Sequence, residues 1–588
     1  MKRKRRITWQ WLLVYTAILM LAYAARTLRL AYGDLTFDEV ATVFVANRSL
    51  IDILRYLLEA SREHPPLYYL GMSLWFNVAG TSEFAVRYPS ALIGVVTAAW
   101  GIHIGKHLFG KEGSVWAGLL LAILPFSVWV GRNSRMYSMV ILLTLINLDL
   151  YRRLVQRPNR YLGAKFVLVT LLGVFTHYYM LLLWPAEGLL LLMLPKKTRH
   201  LCKFWLIATL SAALILGLFL GISSGARATF LEVANRFPAR GFRFQDLKQA
   251  LMELYLHWHD PTLNEEFWIA IGLTILGWVF AWRRDTITGA LLATTGIVPV
   301  VITNYIPVAI EARYLVLIVP SLVFGLTALL AWLRPHWLRL ALMLIVLLQI
   351  NARWDRLRLP PDTTFSKRMA RLHQVSQPDD ALIMNGPWPA LLLTYYEPPD
   401  NVTVYRVPES APPGFDGEVD IPRLEEIATK HERIWVSYGA VSEADPAFGV
   451  SNWLARDMYC VERYQNLVLY VPPPKTVIQT ADLITLAPQL QISDVKINRQ
   501  EFTPGEFLAI RMIWNGPQLN WRIRPTLTLQ DDQDQVWVEE SFSLGPEQRL
   551  GNINLSSPWI TRRGFRIPPG TPPGRYILKL QIESKSFA

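Results

Sequence analysis

A succession of long apolar runs fills the first 350 residues and constrains this chain more than any other feature of its sequence. The apolar core of a bilayer is about 30 Å thick, so a helix that crosses it needs roughly 20 apolar residues. On this basis we predict about eleven membrane spans. They run approximately over Trp9–Leu30, Val86–His103, Val115–Val130, Met136–Leu150, Phe166–His177, Tyr178–Leu194, Phe204–Ile222, Phe267–Trp282, Ile287–Tyr305, Tyr314–Leu333 and Trp337–Ile350.

The basic residues between these runs predict the topology. Residues 2–6 read Lys-Arg-Lys-Arg-Arg, which holds the N-terminus in the cytoplasm. An odd number of spans then places the C-terminus outside. This holds only if Leu67–Val78, which follows two prolines, is an interfacial or re-entrant helix on the outer side. The cytoplasmic loops then carry Lys106, His107, Lys111, Arg152, Arg153, Arg157, Arg160, Lys196, Lys197, Arg199, Lys203, Arg283, Arg284, Arg334, His336 and Arg339.

The composition agrees with a membrane protein. Of the 588 residues, 52% are hydrophobic and only 18% are charged, whereas a soluble protein has about 25% charged residues. A fully soluble protein and a disordered one are therefore excluded. The net charge of +13 follows from the basic loops, so we predict no nucleic-acid partner. Cys202 and Cys460 are expected on opposite sides of the membrane and do not pair.

After Asn351 the sequence changes to short strands, prolines and charges. Residues 354–475 alternate strand and helix patterns, which predicts a small α/β domain. Residues 476–588 show only strands separated by turns, which is typical of an immunoglobulin-like β-sandwich. The predicted strands are Ala381–Met384, Val402–Tyr405, Ile434–Ser437, Leu467–Val471, Phe507–Ile513, Thr526–Leu529 and Tyr576–Ile582. We predict that both domains are extracytoplasmic, after a membrane domain at 1–353.

Polar residues near a bilayer cost energy, so clusters of them require a reason. In this topology such clusters fall on the outer face. Thr36-Phe37-Asp38-Glu39 precedes the apolar helix Val40–Ala46 and admits two interpretations. It is either a capping box between Thr36 and Glu39, or it presents Asp38 as a general base. The other outer clusters contain Glu63, His64, Arg87, Arg132, Arg135, Tyr137, His177, Glu311 and Arg313.

This combination of outer charges predicts a definite chemistry. Arginines bind phosphate groups, and carboxylates deprotonate an acceptor or hold a metal. We therefore expect a lipidic donor with a phosphate leaving group. His257-Trp258-His259-Asp260 lies in the large loop at 223–266. His257 and His259 could join Glu63 as metal ligands, although a solvated interfacial turn is the favoured interpretation, and a divalent metal is left open as a cofactor.

The membrane part, about 1–350, resembles the bacterial members of glycosyltransferase family 39. That family includes protein O-mannosyltransferases and the transferase that adds aminoarabinose to lipid A. The resemblance depends on several short motifs found in this order. They are Phe37-Asp38-Glu39, Glu63-His64-Pro65-Pro66-Leu67-Tyr68-Tyr69, Glu83-Phe84-Ala85-Val86-Arg87-Tyr88-Pro89-Ser90, Arg135-Met136-Tyr137, Thr176-His177-Tyr178 and Ala312-Arg313-Tyr314.

The resemblance implies a multi-pass α-helical membrane protein of the GT-C fold, with a polyprenyl-phosphate sugar donor and inverting transfer outside the cytoplasm. It implies that Asp38 is the catalytic base and that Glu63 is a second carboxylate or a metal ligand. The other implied residues are Arg87, Arg135 and Arg313 at the donor phosphate, and Glu39, His64, Tyr137 and His177 in the lining of the cavity. One departure is Asn133, where many relatives have an acidic residue.

We therefore predict an integral-membrane glycosyltransferase of the plasma membrane that acts on an extracytoplasmic protein, lipid or cell-wall acceptor. Three alternatives remain open. A catalytically inactive, sugar- or lipid-binding protein would explain Asn133. A lipid-linked-sugar transporter should show mid-span charges and repeats, and an oligosaccharyltransferase should show a Trp-Trp-Asp motif. The sequence contains neither repeats nor that motif.

Overall fold

The computed structural model describes residues 8–59, 64–222, 244–256, 264–306, 310–334, 363–386, 389–409, 414–439, 445–487, 490–516, 524–544 and 558–582, with Trp337, Arg339, Ala341 and Leu344. The chain forms two compact units, residues 1–361 and 362–588. Each unit is described by itself.

The first unit is helical in its described residues, as predicted. Its α-helices are α1 (Trp9–Thr27), α2 (Phe37–Ala46), α3 (Leu50–Glu59), α4 (Leu67–Ala79), α5 (Glu83–Ile123), α6 (Pro125–Arg132), α7 (Tyr137–Gln156), α8 (Arg160–Thr176), α9 (Leu183–Met193), α10 (Pro195–Thr198), α11 (Cys202–Ile222), α12 (Phe244–Leu256), α13 (Asn264–Arg284), α14 (Thr286–Tyr305) and α15 (Val319–Trp332). Short 3-10 helices cover Tyr178–Leu182, Arg199–Leu201 and Ala312–Ile318.

Two breaks interrupt the helices between Glu83 and Arg132, the first between two predicted spans and the second inside one of them. Gly110 has φ of 79°, so α5 contains a kink there. The predicted span Val115–Val130 is not one continuous helix, because α5 ends at Ile123 and α6 begins at Pro125. Proline has no backbone N–H and clashes with the preceding turn, so it begins a helix more readily than it continues one. The break frees the Leu121 and Ala122 carbonyls, which accept from Arg26.

Membrane location follows from the apolar helices of this unit. In the described residues, four segments are long and apolar enough to cross a bilayer, namely Glu83–Ile123, Pro195–Leu218, Thr286–Tyr305 and Ala312–Trp332. The count of about eleven spans and the outward orientation of the C-terminus stay predictions. The span predicted over Trp337–Ile350 falls mostly outside the described residues.

Arg26 is a buried arginine near the end of α1 that the sequence interpretation overlooked. It is fully buried and donates to the carbonyls of Ala22, Leu121 and Ala122 and to Ser127. It therefore satisfies the backbone groups at the break between α5 and α6. This is a structural use of an arginine, since an unsatisfied carbonyl in hydrocarbon costs several kcal/mol.

The second unit begins with an α/β layer. β1 (Asp380–Asn385) lies between the parallel strands β2 (Val402–Arg406) and β3 (Ile434–Tyr438). β1 and β3 are buried along their whole length, which explains their nearly continuous apolar sequences. Helices cover both faces. The remaining elements of this layer are α16 (Thr364–Val375), α17 (Pro389–Leu392), α18 (Gly417–Lys430), α19 (Gly449–Asp457), β4 (Tyr459–Tyr464) and β5 (Leu467–Val471).

The later strands form two sheets around a second core. β6 (Ile478–Ala487), β7 (Leu490–Ile497), β8 (Phe507–Asn515) and β11 (Trp559–Arg566) pair antiparallel in the order β6-β7-β8-β11. β9 (Pro525–Gln530), β10 (Val536–Ser541) and β12 (Ile577–Ile582) form a separate three-stranded sheet. Buried residues of both sheets share one core. The described strands thus form a sandwich.

The two soluble domains predicted to meet at residue 475 share a sheet. β4 pairs with β11 through Cys460 and Arg563, so the α/β layer and four sandwich strands form one nine-stranded sheet. Their hydrophobic cores are nevertheless separate clusters. The unit boundary at 361/362 lies a few residues after the predicted boundary at 353/354.

Candidate functional site

Five turns and helix ends of the first unit bring the predicted site residues together. The N-terminus of α2 carries Asp38, and the turn before α4 carries His64. The turn between α6 and α7 carries Arg135, the turn after α8 carries His177, and the 3-10 helix Ala312–Ile318 carries Arg313. These segments are far apart in sequence, and the contacts below join them.

The capping-box interpretation of the first loop is confirmed. The Thr36 N–H donates to Glu39 Oε2 at 2.9 Å, and the Glu39 N–H donates to Thr36 Oγ1 at 3.3 Å. Two backbone N–H groups at the start of α2 are thereby satisfied. The box fixes which of the two neighbouring carboxylates points into the protein.

Glu39 and Arg87 form a buried two-point ion pair. Arg87 Nε donates to Glu39 Oε1 at 2.8 Å, and Nη2 donates to Oε2 at 2.9 Å. The other three N–H groups of Arg87 donate to the carbonyls of Leu30, Gly33 and Asp34 at 3.0, 3.1 and 2.7 Å. An arginine has five N–H donors. All five are therefore engaged within the protein.

Glu39 also anchors the turn that carries Arg135. The Ser134 N–H donates to Glu39 Oε1 at 3.1 Å, and Thr42 Oγ1 donates to the Ser134 carbonyl at 3.0 Å. Glu39 is 0% exposed. It thus links α2, α5 and the turn between α6 and α7, and its predicted place in the cavity lining does not agree with this buried position.

Asp38 is the accessible member of the acidic pair. Its side chain is 32% exposed, and its Oδ2 accepts from Arg313 Nη1 at 2.8 Å. Arg135 Nη2 lies 3.6 Å from Asp38 Oδ1, and Arg135 Nη1 donates to the Asp38 carbonyl at 3.3 Å. Arg313 also pairs with Glu311 at 2.5 Å. One carboxylate is therefore held between two guanidinium groups with part of its surface open.

Two imidazoles lie beside these arginines. Arg135 Nη2 bonds His64 Nε2 at 3.0 Å, and the rings of His64 and His177 are 5.7 Å apart. Both histidines lie in turns outside the long helices. Burial, followed by the positive charge of Arg135, lowers the pKa of His64 well below its usual value and lowers the pKa of His177 in the same direction.

Aromatic side chains lie beside His177. The rings of Tyr137 and His177 are 5.8 Å apart. Tyr179 and Tyr314 stack with centroids 5.1 Å apart and an interplanar angle of 11°, and Tyr314 lies 6.4 Å from the His177 ring. The sequence analysis names Tyr314 only as part of a motif. Its neighbour Arg313 in that motif is the signal that could have identified it.

The candidate metal ligands Glu63, His257 and His259 lie outside the described residues. Among the residues that are described, no three histidine, cysteine, aspartate or glutamate side chains are placed to hold a metal ion.

Asn133, the departure from the family pattern, has a local role. Its Nδ2 donates to the Trp129 carbonyl at 2.7 Å, at the C-terminus of α6. The neighbouring Arg132 donates to the carbonyls of Ala25, Arg26 and Leu28 at the end of α1. Helix carbonyls that lack an intrahelical partner need such donors. Both residues therefore complete helix ends in this structure.

The resemblance drawn from the motifs is confirmed by comparison with known proteins. Residues 63–221 match the family model described as dolichyl-phosphate-mannose-protein mannosyltransferase. No curated protein sequence matches the chain.

Two solved structures are similar to this chain. The Archaeoglobus fulgidus oligosaccharyltransferase, in complex with Zn and sulfate, superposes with a TM-score of 0.52 at 10% identity over 97% of this chain and 97% of that one. ArnT from Cupriavidus metallidurans, bound to undecaprenyl phosphate, gives a TM-score of 0.49 at 14% identity over 79% and 98%. The similarity to the Archaeoglobus fulgidus enzyme supports the GT-C fold for this chain.

Proposed function

We propose that this protein transfers a sugar from a polyprenyl-phosphate donor to an acceptor on the extracytoplasmic side of the plasma membrane, with inversion at the anomeric carbon. The observation that carries the proposal is the position of Asp38, a partly exposed carboxylate between Arg135 and Arg313. The match to a mannosyltransferase family model over residues 63–221 supports it.

Asp38 serves as the general base in this proposal. The acceptor nucleophile attacks the anomeric carbon, and its proton passes to an Asp38 oxygen. The bond between the anomeric carbon and the phosphate oxygen breaks, and its electron pair leaves with the polyprenyl phosphate. Glu39 cannot take this role, because both of its oxygens accept bonds inside the protein.

Arg135 and Arg313 bind the phosphate and stabilise the charge that develops on it. Donors already aimed at the position of the leaving group need no reorganisation during the reaction. In the described site these guanidinium groups pair with Asp38, so a bound phosphate would share their donors with the base. Arg87 was predicted at the phosphate as well, but all five of its donors are used elsewhere. We therefore propose a positioning role for Arg87.

The experiment uses the full chain in nanodiscs, a panel of polyprenyl-phosphate sugars, and mass spectrometry of released polyprenyl phosphate. We expect release by the wild type and its loss in Asp38→Asn. Asp52→Asn is the matched control, because Asp52 is an exposed carboxylate on the next helix that contacts its near neighbours Ser49 and Arg55. Glu63→Gln tests the predicted second carboxylate. Equal release by Asp38→Asn and the wild type would overturn the assignment of the base.

The inactive binding protein is the second candidate, since Asn133 replaces an acidic residue of the family. It predicts binding of a polyprenyl-phosphate sugar without release of polyprenyl phosphate from any member of the panel. The same measurements therefore separate the two functions.

A further inference from the structure

His64 and His177 each have one ring nitrogen with an assigned partner and one without. Arg135 Nη2 lies 3.0 Å from His64 Nε2. A guanidinium nitrogen can only donate, so His64 Nε2 accepts and the ring proton lies on Nδ1. His177 Nδ1 accepts from the Tyr179 N–H at 3.2 Å, so its ring proton lies on Nε2. Both imidazoles are therefore neutral in this arrangement.

The two remaining N–H groups have no hydrogen-bond partner among the described residues. His64 Nδ1 and His177 Nε2 are both buried from solvent, and His177 as a whole is 4% exposed. A buried N–H without a partner costs about 1–3 kcal/mol, so it is retained where a ligand satisfies it. Two such donors in neighbouring rings, next to the proposed base and phosphate site, indicate a subsite for ligand oxygens that accept hydrogen bonds.

We propose that the N–H groups of His64 and His177 form the sugar subsite of this active site and that it takes an uncharged sugar, whose hydroxyl oxygens accept from them. This inference rests on the proposed function. The stacked rings of Tyr179 and Tyr314 lie beside His177 and offer an apolar surface to the sugar ring. The donor lipid phosphate then lies toward Arg135 and Arg313.

The same groups disfavour an amino sugar. An ammonium group has only donors and would face two N–H groups that also only donate. It would also lie near the guanidinium groups of Arg135 and Arg313, which repel it. A hydroxyl can accept from an imidazole and donate elsewhere. The subsite therefore selects hydroxyl-bearing sugars over analogues with an amine in the same position.

The test compares three lipids in nanodiscs. They are bare polyprenyl phosphate, the same lipid carrying an uncharged hexose, and the same lipid carrying an amino-deoxy analogue. Binding is measured for all three, and release of polyprenyl phosphate for the two donors. The variants are His177→Phe, which keeps a ring without N–H groups, and His177→Gln, which restores a side-chain N–H. Arg313→Gln serves as the phosphate-side comparison.

We expect the wild type to bind and turn over the uncharged donor at least roughly tenfold better than the amino-deoxy one. His177→Phe should weaken binding of the uncharged donor by up to about tenfold, in line with the loss of the one hydrogen bond from Nε2, and His177→Gln should recover part of the loss. Binding of bare polyprenyl phosphate should be unchanged in both and weakened in Arg313→Gln.

Two results would overturn the inference while the proposed function stands. One is turnover that prefers the amino-deoxy donor. The other is an equal loss of affinity for bare and sugar-bearing lipid in His177→Phe, which indicates a structural role. If the wild type binds the uncharged donor selectively but releases no polyprenyl phosphate, the transfer reaction is wrong and the sugar subsite stands.

Discussion

Arg87 and Glu39 contact each other at two points, Nε to Oε1 at 2.8 Å and Nη2 to Oε2 at 2.9 Å, in a position where Glu39 is fully buried. The pair holds the first turn of α2 against α5. Since the two side chains of Asp38 and Glu39 are adjacent on one helix, fixing Glu39 inward leaves Asp38 directed at Arg313. Asp38, the proposed base, is thus positioned by the salt bridge between Arg87 and Glu39, in which it takes no part.

Removal of Glu39 should destabilise the protein strongly. In Glu39→Ala, Arg87 stays buried without its counter-charge, and breaking a buried pair typically costs about 3–5 kcal/mol. The double variant Glu39→Gln with Arg87→Gln should lose less than Arg87→Gln alone, because it leaves no buried charge. The free energy of unfolding of each variant is measured by titrating the detergent-solubilised protein with SDS. Asp52→Asn, in an exposed pair with Arg55, should change stability by less than about 1 kcal/mol. An equal loss of stability in Glu39→Ala and in Asp52→Asn would contradict this account.

Alanine at Gly94 or Gly131 should destabilise the helix bundle through Arg26. A Cβ at Gly94 would lie 2.3 Å from Arg26 Nε, and one at Gly131 would lie 2.8 Å from the same atom. Arg26 cannot move away without losing its bonds to the carbonyls at the break, and overpacking costs about 1–3 kcal/mol.

Gly71→Ala is the matched control for these variants. It lies inside α4, and no described atom is within 4 Å of the position that a Cβ would take there. Alanine should therefore stabilise this helix by up to about 1 kcal/mol. Thermal unfolding of the three variants in one detergent provides the comparison. Equal effects at Gly71 and Gly94 would show that helix propensity, and not Arg26, decides the outcome.

The sequence predicted the local features of this protein better than its long-range contacts. The box between Thr36 and Glu39 depends on a spacing of three residues and is confirmed. The strand predicted over Leu467–Val471 has those bounds in the structure. Such features follow from the period of the pattern and from capping chemistry.

The roles of the arginines could not be read from the sequence in the same way. Arg87 and Arg135 both lie at predicted outer helix ends, yet Arg87 is fully engaged with Glu39 and nearby carbonyls, whereas Arg135 contacts Asp38 and His64. Arg26 lies in an apolar run, where its partners are carbonyls about 95 positions later in the chain. The partners of the arginine N–H groups are residues far away in the sequence. A local sequence pattern therefore cannot show which of these donors are already used inside the protein.

Restoring an acidic residue at position 133 should not raise activity. Asn133→Glu removes the amide donor to the Trp129 carbonyl and adds a negative charge at the C-terminus of α6, where the helix dipole is already negative. We expect a loss of stability of about 1 kcal/mol or more, and release of polyprenyl phosphate no higher than in the wild type. Asn133→Ala is the control, because it removes the hydrogen bond to the Trp129 carbonyl without adding a charge. A severalfold rise in release would instead identify position 133 as part of the active site.

Lysine in place of Arg313 should impair the reaction more than it impairs folding. Arg313 contacts Asp38 through Nη1 and Glu311 through Nε, and its side chain is 31% exposed. A lysine has a single charged nitrogen and cannot hold two groups in a planar fork. In Arg313→Lys we expect kcat for release of polyprenyl phosphate to fall by roughly 100-fold, in the range seen when one transition-state donor is removed, with little change in thermal unfolding.

Arg55→Lys provides the control for this substitution, because Arg55 is 63% exposed and pairs with Asp52 on the surface of α3. It should change neither release nor unfolding. The comparison with Arg135→Lys is informative as well, since that arginine also bonds His64 Nε2. If Arg135 and Arg313 act on the same phosphate, the affinity for bare polyprenyl phosphate should fall in both variants. An unchanged affinity in Arg313→Lys, together with an unchanged kcat, would remove Arg313 from the proposed donor site and leave Arg135 as the proposed phosphate ligand.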